Sequence, residues 1–289
     1  MTYLFLLGAM TSSALCSIMS SLFGRKSNCA KSTSSLYTII TAISAFLTWG
    51  IMYFSDFIFD PRSLLYSFAY GIFYSMAMFG MFKAYQTGSV SLTAFIKQLA
   101  LIGVAFWGVF FWDTPLTLNI CIGIVLIIAA LYLCFNTNKD RSQGITLKWL
   151  FYSSMLLFGN AFCAITQKYQ QMALGDTYGN QLMFFGIGFS ALACTVLHFR
   201  KNRCKISDVP NKYVLLYPII GGISSALLNL FILLLISSTM PENVFFPGIA
   251  VGGLIITMLF SLLVFRERLK LPQWIGLAIG TIALIFLNL

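Results

Sequence analysis

Long apolar stretches follow one another along the chain, each ended by a short cluster of polar or turn residues. Ten such runs can be read, over 2–23, 35–55, 64–82, 89–111, 116–135, 147–167, 178–198, 213–236, 243–265 and 271–289. One helical span of a bilayer needs about 20 apolar residues. A membrane β-barrel would instead show segments of about ten residues with alternating polarity, and none occur. The pattern predicts an all-α polytopic membrane protein with ten transmembrane helices.

Composition agrees. Apolar types make up 59% of the 289 residues and charged types only 9%, and the mean hydropathy is +0.87. So few charges cannot coat a water-facing surface, which excludes a soluble enzyme and a disordered chain. The first run is read as a span and not as a cleaved leader, because no basic residue precedes it and no A-x-A site follows. Cys16, Cys121, Cys134, Cys163 and Cys194 lie inside runs, whereas Cys29 and Cys204 lie in basic loops. No metal-binding spacing occurs among them, and they read as reduced packing residues. His198, beside Arg200 and Lys201, reads as a surface residue.

The net charge of +10 would suggest nucleic acid in a soluble chain. Here it sorts by loop. Arg25, Lys26 and Lys31 follow the first run, Lys83 the third, and Lys139, Arg141 and Lys148 the fifth. Arg200, Lys201, Arg203, Lys205 and Lys212 follow the seventh, and Arg266, Arg268 and Lys270 the ninth. The opposite side has only Arg62 and Lys168. Basic loops stay in the cytoplasm, so both termini are expected outside a bacterial cytoplasmic membrane. Of all the basic residues, only Lys97 is left without a topological explanation.

A repeat is visible at half length. Ser13-Ala14-Leu15-Cys16-Ser17-Ile18 resembles Asn160-Ala161-Phe162-Cys163-Ala164-Ile165, and the tract from Phe111 to Gly123 resembles that from Phe265 to Gly276. Two segments, 1–139 and 144–289, then hold five spans each. Five is odd, so the second segment is inverted relative to the first, as in many secondary transporters.

The last tract runs Pro247-Gly248-Ile249-Ala250, then Leu262 to Leu269 through Glu267, then Gln273-Trp274-Ile275-Gly276 and Gly280. It resembles the EamA-type repeat of the drug/metabolite transporter superfamily. The first half matches more weakly, with Asp113 at the acid position, no proline, and Lys97 where an apolar residue is usual. The resemblance covers essentially the whole chain. It implies a ten-helix carrier working by alternating access, with a central cavity between the halves. The superfamily carries amino acids, nucleotide sugars, sugar phosphates, quaternary amines or drugs, so the resemblance does not fix a substrate. Glu267, between Arg266 and Arg268, reads first as an ion-pair or capping residue.

The residues at membrane depth speak to the substrate. Lys97 lies about 13 Å into the fourth run at 1.5 Å per residue, near the midplane. A lysine there costs about 2.5–3.5 kcal/mol on insertion scales and usually faces a wet cavity or the bundle interior. No acid sits at the centre of any run to pair with it, and an anionic ligand would supply the missing charge. Val90, Thr93, Ala94, Lys97, Ala100 and Val104 share one helical face, with Gln98 about 100° round. Ser153, Asn160 and Gln167 form a stripe on the sixth run, and Ser225 and Asn229 share a face of the eighth. For these amides, interhelical hydrogen bonding and ligand contact are both open. Tyr70, Tyr74 and Tyr85 with Met78 and Met81 would form a cavity wall or pack as core, and Trp49 and Trp107 are treated alike. Trp112, Trp149 and Trp274 read as interface anchors. Pro247, Gly248 and Gly252 suit a gate or a close helix crossing. By repeat register Pro247 matches Ala94, one turn before Lys97. Glu242 reads as a helix cap on the outer side.

The expected function is secondary active transport of a small anionic or zwitterionic metabolite bearing a carboxylate or phosphate. Lys97, Gln98, Thr93, Tyr74, Asn160, Gln167 and Asn229 are the expected binding residues, and Pro247, Gly248 and Gly252 the gating ones. No enzymatic role, cofactor, metal or nucleic-acid partner is expected. The partners are the substrate, the lipid bilayer and a coupling proton or sodium ion. An organic cation such as a quaternary amine, and a lipid flippase in the same fold, are the competing readings.

Overall fold

A computed structural model describes residues 2–26, 33–53, 58–112, 117–136, 146–201, 212–236, 242–266 and 270–286. The helices are α1 (Thr2–Lys26), α2 (Thr33–Tyr53), α3 (Ser63–Thr87), α4 (Val90–Gln98), α5 (Ala100–Phe111) and α6 (Leu118–Asn136). They continue as α7 (Leu147–Leu174), α8 (Gly179–Lys201), α9 (Leu216–Ile236), α10 (Glu242–Val264) and α11 (Leu271–Phe286). No strand occurs among the described residues. Five stretches are long and apolar enough to cross a membrane: Thr2–Gly24, Ser63–Thr87, Leu147–Leu174, Gly179–Val196 and Tyr213–Ile232. Leu36–Ile51, Cys121–Ala130, Gly248–Val264 and Leu271–Ala283 are shorter apolar helical stretches.

Local chemistry sets several ends. The Ser89 hydroxyl caps α4 by accepting the Leu92 N–H, and the Thr146 hydroxyl caps α7 by accepting that of Trp149. α7 stops at Gly175, whose φ of 85° is a left-handed conformation that glycine adopts without strain.

Three sequence expectations are corrected here. The fourth run is two helices. Leu99 closes α4 in a tightened turn (φ −65°, ψ −11°), its N–H reaching the carbonyls of Phe95 and Ile96 at 3.2 and 3.1 Å. No glycine or proline marks the break, so tertiary packing decides it. Second, Lys83 and Lys168 lie within α3 and α7, not in loops, because both helices outrun their apolar cores. Third, Trp149 is buried and its indole N–H donates to Thr93 Oγ1 at 2.9 Å, so it does not sit at the membrane–water interface.

The surface is apolar and the interior holds many hydroxyls, as suits a bilayer. Leu4, Leu47, Ile51, Leu65, Phe110, Ile128 and Leu263 are exposed, whereas Ser17, Ser67, Thr93, Ser153, Thr257 and Ser261 are buried. Several buried hydroxyls satisfy themselves on the preceding turn; Ser17, Ser67, Thr166 and Thr257 each donate to the carbonyl four residues back. Cys16, Cys121, Cys163 and Cys194 are free thiols.

The helices of the first segment pack chiefly on those of the second. α3 lies against α7 and α8, and α9 lies against α1 and α2. α1 also meets α10, while α4 and α5 meet α7; α2 meets α8, α4 meets α10, and α6 meets α11. Glycines permit the close crossing of α3 and α7. A Cβ on Gly80 would lie 2.7 Å from the Leu156 nitrogen, and one on Gly159 would lie 2.6 Å from the Ala77 nitrogen. Backbones this close gain dispersion contacts that lipid tails do not supply. The tyrosines and methionines of α3 pack as core: Tyr70, Tyr74, Met78, Met81 and Tyr85 form one buried cluster with Trp49, Leu182 and Ile187.

Candidate functional site

The break between α4 and α5 falls beside a cavity of about 180 Å³. Ser13 from α1, Lys97 and Gln98 from α4, and Ala100 and Val104 from α5 line one part of it. Asn160 and Ala164 from α7, Leu228 and Ile232 from α9, and Phe246, Ile249 and Ala250 from α10 line the rest. Its lining begins near the middle of α1 and α7 and at the α4–α5 break. From there it runs toward the C-terminal ends of α5, α7 and α9 and the N-terminal end of α10. At about 30 Å³ per water it holds roughly six waters, below the range of about 300–1,000 Å³ typical of drug-sized pockets. Larger hollows of about 460 and 480 Å³ lie on outer faces lined by Leu65, Phe68, Leu147 and Phe151. These four residues are exposed, so the hollows are places for lipid tails.

The cavity's chemistry is one cation, two amides and one hydroxyl in an apolar wall. Among the described residues no carboxylate lines it. Lys97 is half-buried, and its Nζ donates to Ser17 Oγ at 3.4 Å, a long contact with a neutral group. Gln98 and Asn160 are half-buried, and no hydrogen bond from a described residue engages either side chain. A polar group entering here would meet one fixed charge and open amide donors and acceptors.

Three of the seven expected binding residues, Lys97, Gln98 and Asn160, therefore share one cavity. The other four lie outside its lining. Thr93 is buried, accepts from Trp149 and donates to the Ser89 carbonyl at 2.7 Å. Tyr74 is buried, shares a 3.1 Å hydrogen bond with Ser225 and stacks on Tyr70 at 5.8 Å. Asn229 donates to the Ser225 carbonyl of its own helix at 2.9 Å. Gln167 is half-buried, further along α7. Gly248 and Gly252 face α1, where a Cβ would meet Leu6 and Met10 respectively. Pro247 lies within α10, and its side chain falls outside the described residues. So do the side chains of His198 and Glu242 and all of Asp113, Glu267, Cys29 and Cys204.

Sequence reasoning missed Ser13 and Ala250 as lining residues. The signal was in the repeat: Ser13 is the register partner of Asn160, and Ala250 that of Lys97. It also missed the pairing of Trp149 with Thr93, which brings α7 onto α4. Gly88 allows this approach, since a Cβ there would collide with the Trp149 ring.

Beyond the cavity, a polar clamp holds the α2–α3 connection to the start of α8. Gln181 donates to the Asp60 carbonyl and accepts the Asp60 N–H, both at 2.8 Å. The Asp60 carboxylate accepts from the Arg62 guanidinium at 2.8 Å and from the Arg62 backbone N–H at 2.8 Å. These hydrogen bonds hold the Asp60 carboxyl below the usual carboxylate range.

Residues 1–136 match the model of the EamA-like transporter family. The EamA type read from the motifs thus holds over that stretch, and the apolar helices fit a multi-pass membrane protein. The match falls on the half whose motifs read more weakly by eye. A solved structure named only "Crystal structure of protein" superposes with a TM-score of 0.63 at 10% identity, covering 96% of this chain and 95% of that chain. At that identity the likeness shows the fold alone. No curated protein matches the sequence.

Proposed function

We propose that this protein is a secondary transporter that moves a small anionic or zwitterionic metabolite across a bacterial cytoplasmic membrane by alternating access. The observation that carries the reading is the gathering of Lys97, Gln98 and Asn160 around one cavity in which no described residue supplies a carboxylate. A carboxylate or phosphate would neutralise Lys97, while Gln98 and Asn160 would bind the polar remainder. Excluding water strengthens both interactions.

The ten-span inverted repeat is part of the proposal, with segments 1–139 and 144–289 as its two units. The packing supports it. α3 on α7 and α8 has its counterpart in α9 on α1 and α2; α1 on α10 has its counterpart in α7 on α4 and α5. α2–α8, α4–α10 and α6–α11 pair with their own counterparts. A two-fold axis in the membrane plane gives such a pattern. With the basic loops inside, both termini lie outside and the cavity faces the outer side. A proton or sodium gradient, or exchange, would drive the cycle.

An organic cation fits less well. Lys97 would repel it, and Tyr70 and Tyr74, which could have formed an aromatic cage, stack on each other instead. A thermal-shift screen of the purified protein separates the readings. A ligand at 100 times its dissociation constant stabilises by about 2.7 kcal/mol. Stabilisation by small carboxylates, phosphates or zwitterions is expected. Stabilisation by choline-like cations alone would overturn the substrate class.

A further inference from the structure

The repeat register sorts the cavity residues into two groups. Ser13 and Asn160 are register partners and both line the cavity, as are and do Lys97 and Ala250. Three other pairs are split with the second-segment partner in the lining. Phe246, Ile249 and Ala164 line the cavity, while their partners Thr93, Ile96 and Ser17 do not. In an inverted repeat the two end states exchange the conformations of the halves. Pairs that both line the cavity are central and stay with the substrate, and split pairs exchange.

A second, independent observation marks the same region. Ser153 lies on α7 between Trp149, which touches Thr93, and Asn160, which lines the cavity, and the three share one helical face. Its hydroxyl is buried without a hydrogen-bond partner. An unpaired buried hydroxyl costs free energy in a closed state, and gains a partner if that region opens to water or substrate. Ser91 and Ser261 meet at 2.6 Å across α4 and α10, so this seam is polar where apolar packing would have sufficed.

We propose that the second face of the substrate site is built by Ser17, Thr93, Ile96 and Ser153 around the retained Lys97, and that it opens when Trp149 leaves Thr93. It would take the same carboxylate- or phosphate-bearing metabolite as the outer cavity, and the inference rests on the transporter reading above. From the second segment the outer face presents Phe246, Ile249 and Ala164, while Gln98, Ala100 and Val104, whose register partners Val251, Gly253 and Thr257 do not line the cavity, are split the other way. The inner face offers the hydroxyls of Ser17 and Thr93. Thr93, which lies outside the present cavity, acquires its binding role in this other state.

The test uses the full chain in sealed right-side-out and inside-out vesicles, with a membrane-impermeant anionic methanethiosulfonate reagent. Labelling is read at each residue by peptide mass, with the native cysteines as the folding control. Phe246→Cys and Ile249→Cys are expected to react from one face, and Thr93→Cys and Ile96→Cys from the other only. Trp149→Phe, which removes the hydrogen bond to Thr93, is expected to speed labelling of Ile96→Cys about fivefold. If Phe246→Cys reacts while Thr93→Cys and Ile96→Cys react from neither face, the inner site is wrong and the transporter reading stands. Labelling of all four from the same face would also overturn it. If none of the four reacts from either face, there is no accessible cavity and both readings fall.

Discussion

Replacing Gly159 by alanine probes the close crossing of α7 on α3. The added Cβ would lie 2.6 Å from the Ala77 nitrogen and 2.8 Å from its Cα. That is about 0.8 Å short of ordinary contact, which begins near 3.4 Å. The obstacle is backbone, so no side chain can swing away and α7 must separate from α3. Overpacking of this kind costs about 1–3 kcal/mol, and the better helix propensity of alanine returns about 0.8–1.0 kcal/mol. A backbone obstacle places the cost in the upper part of that range, so a net loss of about 1–2 kcal/mol remains. Gly80→Ala meets the same crossing from the other side, at the Leu156 nitrogen. Once one alanine has parted the helices, the second meets less resistance, so the double variant is expected to lose less than the two singles combined. Asn160 adjoins Gly159 and moves with α7, so transport should fall even where folding survives. The assay is the thermal melt of detergent-purified protein for both singles and the double, with Phe158→Ala, on the exposed face of α7, as control. A Gly159→Ala melt that matches wild type, or strictly additive losses, would refute the reasoning.

Trp149→Phe removes the donor to Thr93 and some buried volume. A loss of about 1–2 kcal/mol in the melt is expected. Gln181→Leu strands the Asp60 N–H, and hydrogen exchange across 58–62 should quicken by roughly 5- to 150-fold for a loss of 1–3 kcal/mol. The Asp60 carboxyl sits below its unfolded value of about 3.9, so its stabilisation is present above that pH and is lost as pH falls through the lower folded value. Melting curves should show that acid loss in wild type and a smaller one in Asp60→Asn.

Much of the fold is legible in the sequence because a bilayer demands continuous apolar segments. Each of the ten runs coincides with a helix, and only the fourth divides. That division was hidden because Ile96 to Ala100 contains no helix breaker. Trp149 misled because a tryptophan near a run end is ordinarily an interface anchor, and only the tertiary structure brings Thr93 within reach of its N–H. Among the site residues, Lys97 announced itself as an unpaired charge, and Asn160 followed from the polar stripe on α7. Tyr74, Thr93 and Asn229 have the same polar character as the lining residues. What separates them is the neighbour that already occupies each one, Ser225, Trp149 and the Ser225 carbonyl, and that depends on contacts between distant parts of the chain.

The central claim is that Lys97 draws the anionic group of the substrate into the cavity. Direct binding of the best anionic ligand from the thermal screen, compared between wild type and Lys97→Gln at matched melting temperature, tests it. Removing one partner of a buried charge pair costs about 2–5 kcal/mol, so affinity should fall roughly 30-fold or more, with partial retention in Lys97→Arg. Unchanged affinity in Lys97→Gln would contradict the account.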